Sequence, residues 1–205
     1  MKTAFRNALV LLLAAVLVTS LCSACGDESD NLLDPNLTYF ADIVIEGYGT
    51  ITVKLDPTAA PITAKNFVDL AQSGFYNGLT FHRVKPGFVI QGGDPKGDGT
   101  GSSDNKIPGE FAANGHDNPI SHVRGVISMA RSNDYNSASC QFFIVHRDST
   151  DSLDGRYAAF GYVTEGMEIV DEICAVARPI DSNGRLSPVS QPVITTITIR
   201  TEPKN

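Results

Sequence analysis

The sequence predicts a mostly β domain with two helices. Short apolar runs recur between clusters of glycine, proline and asparagine, a spacing that suits an all-β barrel or sandwich. Two other stretches place apolar residues at helical intervals, and no internal repeat is present. The part of the chain that carries this pattern is about 165 residues long, an ordinary size for a single core.

The first elements are a hairpin and a helix. Residues 39–55 alternate between apolar and polar around the turn Gly47-Tyr48-Gly49, as expected of a β-hairpin. Pro61 opens a stretch with helical spacing, and Gly74 stands where that helix would end. We therefore expect two paired strands followed by a first helix.

Further strands and a second helix follow. The strands are expected at the apolar runs 88–90, 126–129, 142–145, 158–163 and 193–199. The helix is expected over residues 165–176, because Ile169, Ile173 and Val176 share one face at helical spacing.

The first 24 residues are predicted to be a targeting segment outside the fold. Lys2 and Arg6 precede an apolar run, 8–18, that is too short to span a bilayer comfortably. Small residues then precede Cys25, a pattern that resembles the lipobox of bacterial lipoproteins. Residues 1–24 are thus expected to be a lipoprotein-type signal peptide with Cys25 as the lipidation site, and simple secretion is the alternative.

A polar segment separates this leader from the domain. Residues 25–37 are predicted to be a solvated tether, and residues 38–205 the folded domain. Removing Lys2 and Arg6 with the leader changes the formal charge from −7 to −9, which argues against nucleic acid as a partner. We expect an exported protein, held by lipidated Cys25 at the outer face of the cell membrane or else secreted.

The cysteines do not define a redox or zinc site. Cys22 and Cys25 form a C-x-x-C, but no second ligand pair follows and no βαβ pattern surrounds it. Cys140 and Cys174 remain in the domain. Export would permit a disulfide between them, and the sequence leaves that pairing open.

The most informative segment is 81–94, FHRVKPGFVIQGGD. It resembles the signature of the cyclophilin peptidyl-prolyl isomerases, F-H-R-x-x-P-G-F-x-x-Q-G-G-D. The segments SMAR at 128–131, SCQFFI at 139–144, LDG at 153–155 and FG at 160–161 resemble further elements of that family, in the same order. The resemblance extends from about residue 39 to residue 201.

The resemblance implies a fold and an activity. The fold would be a closed eight-stranded antiparallel β-barrel capped by two α-helices. The activity would be rotation of X-Pro peptide bonds in proline-containing peptides and unfolded exported proteins, by a monomer without cofactor, metal or covalent intermediate. Amide resonance makes this rotation slow, and a charged donor can favour the twisted state without ever losing its proton.

The resemblance also assigns residues. Arg83 matches the catalytic arginine, and Gln91 matches the glutamine that orients it and contacts substrate. The walls of the proline pocket match Phe88, Val89, Phe143 and Leu153. The remaining expected substrate contacts are Gly99, Ala130, Arg131, Gln141 and Tyr157.

Several positions depart from the family pattern. Ser152 stands where many members have tryptophan, Tyr157 where many have histidine, and Arg131 where many have asparagine. Cys140 replaces a serine. We expect activity to survive and cyclosporin-like cyclic peptides to bind weakly, because the missing tryptophan supplies a donor for that ligand.

The same residues allow other interpretations. Arg83 alone could form a structural ion pair, and Phe81 and Phe142 are expected in the core because they alternate with pocket residues. The other possible chemistries are a metal site at His82, His116, His122 and His146, a thiol hydrolase of Cys140 with His146 or His122, and a phosphate loop at 97–102. The histidine spacing matches no usual zinc pattern, and the glycine-rich loop has no P-loop lysine.

The sequence is also compatible with two rival functions. One is a proline-peptide binding module or holdase chaperone without turnover. The other is a surface adhesin or scaffold that uses only the stability of a barrel.

Overall fold

The computed structural model describes residues 32–204. The predicted signal peptide, most of the tether and Cys25 lie outside these residues, so the predictions made for them remain predictions. Among the helices of residues 32–204, none has both the length and the apolar character that a membrane crossing requires. The strands and α-helices are β1 Leu37–Ile45, β2 Gly49–Leu55, α1 Pro61–Gln72, β3 Arg83–Lys85, β4 Val89–Gly92, β5 Val126–Met129, β6 Phe142–Val145, α2 Thr150–Leu153, β7 Ala158–Glu165, α3 Met167–Val176 and β8 Ile194–Pro203.

The eight strands form one antiparallel sheet in the order β3-β4-β6-β5-β7-β2-β1-β8. The predicted closed barrel is wrong, because the sheet is an open half-barrel with β3 and β8 at its edges. A loop occupies the outer edge of β3, where the Val84 N–H donates to the Gly184 carbonyl at 2.8 Å. Near this edge, Val193, which precedes β8, pairs with Thr80, which precedes β3, in an isolated bridge. No continuous ladder joins β3 to β8.

The predicted hairpin and first helix are confirmed. Strands β1 and β2 pair antiparallel, and α1 begins at Pro61. The Ile62 and Thr63 N–H groups donate to the two carboxylate oxygens of Glu110 at 3.0 and 2.7 Å. A buried acid from a distant loop thus satisfies the free donors at the start of the helix and complements its dipole.

The count of two helices is also wrong, since the described residues contain three α-helices. Helix α2 has only four residues, too few for an apolar period to be visible in the sequence. The second predicted helix, α3, begins at Met167 because Gly166 ends the preceding strand in a left-handed conformation with φ of +89°. A side chain at Gly166 would lie 2.6 Å from the Thr50 carbonyl oxygen, so glycine is required at this junction.

The main core is aromatic. The Phe67 ring lies 5.2–5.4 Å from those of Tyr76, Phe142 and Phe160. Phe81 and Phe142 are fully buried in this cluster, which confirms their assignment to the core. A pair of aromatic rings at such distances adds about 0.5–1.5 kcal/mol beyond the burial of its surface.

A smaller apolar cluster lies on the other face of the sheet. Because strand residues alternate between faces, Phe142 and Ile144 of β6 enter the main core, whereas Phe143 and Val145 enter the smaller cluster. Cys140 and Cys174 are both buried and are not disulfide-bonded. The smaller cluster is the base on which the candidate site is built.

Candidate active site

Strand pairing brings Arg83 and Gln91 together. The two residues are direct partners in the β3–β4 ladder, and Arg83 Nη1 donates to Gln91 Oε1 at 3.0 Å. The spacing of eight residues between arginine and glutamine in the segment 81–94 is the spacing that this hairpin requires. The two residues predicted to be catalytic therefore form one unit.

Two further contacts fix the Arg83 side chain. Its Nε donates to the backbone carbonyl of Asn183 at 2.7 Å, and the guanidinium carbon lies 5.7 Å from the centre of the Phe88 ring. Burial lowers the pKa of Arg83, while Tyr157 and Asp181 act in the opposite direction. An arginine with so high a pKa still keeps its charge, and within residues 32–204 its Nη2 has no hydrogen-bond acceptor.

A hydrogen-bond relay continues from Gln91 into a neighbouring loop. Gln91 Nε2 donates to Gln141 Oε1 at 2.9 Å. Gln141 Nε2 in turn donates to the carbonyls of Gly101 at 2.8 Å and Gly99 at 3.3 Å. Each amide has its oxygen towards Arg83 and its nitrogen towards the loop, so the relay has a single direction and holds Arg83 in place.

An apolar patch lies beside the guanidinium. Phe143 pairs with Gln91 across β4 and β6, and its ring meets that of Tyr157 edge-on at 5.7 Å. Phe88 and Tyr157 are half-buried, whereas Phe143 and Leu153 are each 4% exposed and form the floor. The predicted pocket residues thus lie in one cluster, which also includes Val89 as a buried support of the floor.

A buried polar chain supports Phe143 from behind. The His122 ring stacks on Phe143 at 6.0 Å, its Nδ1 donates to Asp154 Oδ1 at 2.8 Å, and its Nε2 accepts from Ser128 Oγ at 2.9 Å. Burial lowers the pKa of His122 although the Asp154 carboxylate favours protonation. A neutral ring satisfies both neighbours. The sequence interpretation missed this chain, although Ser128 and Asp154 stand inside the segments SMAR and LDG.

The other predicted contact residues line a polar cleft of about 340 Å³ next to the apolar patch. Gly99, Ala130, Arg131 and Gln141 all border this cleft, and Gln91 borders it as well. The Ala130 N–H donates to the Gln141 carbonyl at 2.8 Å. The predicted residues therefore fall into an apolar patch and a polar cleft, with Arg83 and Gln91 between them.

A buried acid, Asp94, shapes one wall of the cleft. Its Oδ1 accepts from the Lys96 N–H at 2.9 Å, and its Oδ2 accepts from the Asp98 and Gly99 N–H groups at 3.1 and 2.5 Å. The backbone N–H groups of the loop are thus bonded to the Asp94 carboxylate, and they are not free to bind a phosphate. Asp94 ends the segment 81–94, and the sequence interpretation gave it no role.

The alternative chemistries gain no support from this geometry. Within residues 32–204, no three histidine, cysteine or acidic side chains are grouped closely enough to hold a metal ion. The Cys140 side chain is fully buried, and burial raises the pKa of its thiol. A buried thiol of raised pKa is a poor nucleophile.

The sequence matches the family model described as "Cyclophilin type peptidyl-prolyl cis-trans isomerase" over residues 40–199. The chain is similar to peptidyl-prolyl cis-trans isomerase A of Dickeya dadantii, with 44% identity over 132 residues that cover 62% of this chain and 67% of the relative. It is also similar to peptidyl-prolyl cis-trans isomerase B of Bacillus subtilis, with 46% identity over 125 residues that cover 61% of this chain and 83% of the relative.

The structure is similar to a solved Cryptosporidium parvum cyclophilin type peptidyl-prolyl cis-trans isomerase, crystallised in the presence of the dipeptide Ala-Pro. The TM-score is 0.69 and the sequence identity 28%, with 80% of this chain and 99% of the other covered. The half-barrel fold and the Arg83–Gln91 unit point to the same family as these similarities. The chain belongs to the cyclophilin type peptidyl-prolyl cis-trans isomerase family, and it is an enzyme of that type.

Proposed function

We propose that this isomerase rotates X-Pro bonds in exported polypeptides, with Arg83 as the donor that stabilises the twisted bond. The observation that carries the proposal is the Arg83–Gln91 hydrogen bond at the edge of an apolar patch. It puts a fixed positive charge next to a surface that suits a proline ring.

The chemistry needs a donor and no nucleophile. Amide resonance gives the X-Pro bond a rotation barrier of about 18–20 kcal/mol. At mid-rotation the resonance is broken, and the imide nitrogen gains a lone pair that can accept a hydrogen bond. The Nε hydrogen and one Nη1 hydrogen of Arg83 already have partners, so the second Nη1 hydrogen and the Nη2 group are left to donate. A donor used only in the twisted state lowers the barrier selectively.

The neighbouring surfaces would hold the peptide. Phe88, Phe143 and Leu153 would take the proline ring, and the Ala130–Arg131 backbone would pair with the preceding residues. Because the Ala130 N–H is already bonded to Gln141, that pairing falls to the Ala130 carbonyl and the backbone of Arg131. The Ala-Pro dipeptide named with the Cryptosporidium parvum relative supports a proline-containing ligand.

The test is proline exchange measured by NMR on the domain 38–205, with short X-Pro peptides. Arg83→Ala should reduce kcat/KM by about ten- to a few hundredfold, because a charged hydrogen bond is worth about 1.5–3 kcal/mol. Arg83→Lys keeps the charge without the planar fork, and should recover only part of the loss. An unchanged rate in Arg83→Ala would refute the role of Arg83.

The rival function is a proline-peptide binder without turnover. It predicts saturable peptide binding together with an exchange rate equal to that of buffer. The relay from Arg83 through Gln91 to Gln141 favours catalysis, because a binder gains nothing from a charged donor held in one orientation.

The role in folding exported proteins rests on the predicted leader. We propose that the mature enzyme is a monomer anchored through lipidated Cys25, and that it serves unfolded proteins outside the cytoplasm. Mass spectrometry of the mature amino terminus should find an acylated Cys25. Cleavage elsewhere, with an unmodified terminus, would overturn the anchor and leave the catalytic proposal intact.

A further inference from the structure

The polar cleft beside Arg83 carries positive charge. Two of its lining residues are the cations Lys106 and Arg131, and the others have neutral hydroxyl, amide, methyl or backbone groups. Asp104 and Asp134, the acids nearest to these cations in sequence, do not line the cleft. The cleft is therefore locally positive, although the chain as a whole has a formal net charge of −7.

The charge of Arg131 is not neutralised by a carboxylate in the described residues. Arg124, Arg185 and Arg200 each form an ion pair with an aspartate. Arg131 instead donates from Nε to the Arg156 carbonyl at 2.9 Å and from Nη1 to the Ser132 carbonyl at 2.8 Å. Lys106, which is exposed, has no ion-pair partner within residues 32–204 either.

Three aromatic rings fix the Arg131 guanidinium. Its central carbon lies 4.7 Å from the ring centre of Tyr157, 4.8 Å from that of Tyr135 and 5.1 Å from that of Phe111. Cation–π contacts and two carbonyl acceptors hold a charge without cancelling it. The side chain is thus ordered before any ligand arrives, which reduces the entropy cost of binding.

The cleft lies within reach of a peptide bound at the apolar patch. Gln91 borders the cleft and hydrogen-bonds Arg83, and Tyr157 contacts both Phe143 and Arg131. An extended peptide advances about 3.3 Å per residue, so residues adjacent to a bound proline reach the cleft. The Ala130–Arg131 edge, proposed to pair with the residues before proline, forms part of its border.

We propose that Lys106 and Arg131 are specificity-determining residues, which select a carboxylate side chain on the residues that precede the proline. The inference rests on the proposed peptide-binding site and adds the chemical class of preferred substrate. It makes acidic X-Pro segments better substrates than neutral or basic ones of the same shape.

The experiment compares peptides that differ only in charge. Glutamate, glutamine and lysine are placed in turn at the first, second and third position before proline, and kcat/KM is measured by NMR exchange. At one position at least, glutamate should exceed glutamine by about two- to fivefold, the range of exposed ion pairs. The preference should appear in KM, because the contact is made equally before and during rotation, and it should shrink at high salt.

Two variant pairs assign the effect to the cations. Lys106→Glu should abolish or reverse the glutamate preference, while Lys54→Glu, the same charge change at an exposed residue outside this cleft, should preserve it. Arg131→Gln should weaken the preference and Arg131→Lys should retain it. Because both Arg131 variants disturb the aromatic cage, their comparison separates charge from packing.

The failures of the two proposals are distinguishable. A wild-type enzyme inactive on all peptides would overturn the proposed function itself. An active enzyme with equal kcat/KM on glutamate, glutamine and lysine peptides would overturn only this inference, as would a glutamate preference that survives Lys106→Glu and Arg131→Gln.

Discussion

Phe142 and Phe143 are adjacent in sequence, identical in chemistry and both buried, yet they serve different parts of the molecule. Phe142 contacts the rings of Phe67, Tyr76 and Phe81 at 5.4–5.9 Å in the main core. Phe143 packs between His122 and Tyr157 under the candidate site. A single strand, β6, therefore supplies stability on one face and a functional surface on the other, so sequence neighbours are expected to differ sharply on mutation.

The largest expected effect is on stability. Phe142→Ala should reduce the free energy of unfolding by about 3–5 kcal/mol, because it opens a cavity among the three aromatic rings that contact Phe142. Phe143→Ala should cost less, since its ring borders the surface patch on one side. Urea unfolding of the two variants tests the difference, and equal losses would contradict the assignment of the two faces.

The next effect is on activity. Phe143→Leu keeps the floor apolar but removes its aromatic contacts, so kcat/KM should fall by about three- to tenfold. The matched control is Phe142→Leu, which should lower stability while the folded enzyme keeps its kcat/KM. If both variants lose activity equally, the two faces of β6 are not functionally separate.

A smaller effect is expected from the relay that fixes Arg83. Gln91→Leu removes the hydrogen bonds of Gln91 with Arg83 and with Gln141. It should lower kcat/KM by about two- to fivefold. Gln141→Leu, measured alone and together with Gln91→Leu, completes a double-mutant cycle. Strictly additive losses would show that the relay does not act as a unit.

The last effect, on acid stability, is absent at neutral pH and grows as the pH falls. Burial lowers the pKa of His82 and of His122 in the folded protein, so the unfolded chain binds protons first as the pH falls. Stability should therefore be full above about pH 6.5, the ordinary histidine pKa, and decline below it by at most about 1.4 kcal/mol per pH unit for each histidine. Urea unfolding between pH 5 and 8 should show a weaker decline in His122→Asn than in the wild type.

Local patterns predicted the longer strands and helices, because the periodic alternation of buried and exposed side chains determines these elements. The alternation in β1 and β2 and the helical spacing after Pro61 both reflect which side chains face the core. The three-residue β3 and the four-residue α2 are too short to show a period. Barrel closure was predicted wrongly because it depends on a loop, near Gly184, that pairs with β3.

The candidate site was predicted by family resemblance rather than by periodicity. Arg83, Gln91 and Phe143 meet because β3, β4 and β6 are neighbours in the sheet, a long-range fact that no local pattern contains. His122 was missed because its partners come from two other segments. Asn183 could not be found at all, since it acts through a backbone carbonyl that any residue could provide.

The bond between Arg83 and the Asn183 carbonyl joins positions 100 residues apart in the chain. Synthesis proceeds from the amino terminus, so Asn183 is made 100 residues after Arg83. The guanidinium is consequently fully held only after the loop that carries Asn183 has docked on β3. Isomerase activity therefore matures only after the segment around Asn183 has folded, and a nascent chain that does not yet include Asn183 has the arginine without its complete support.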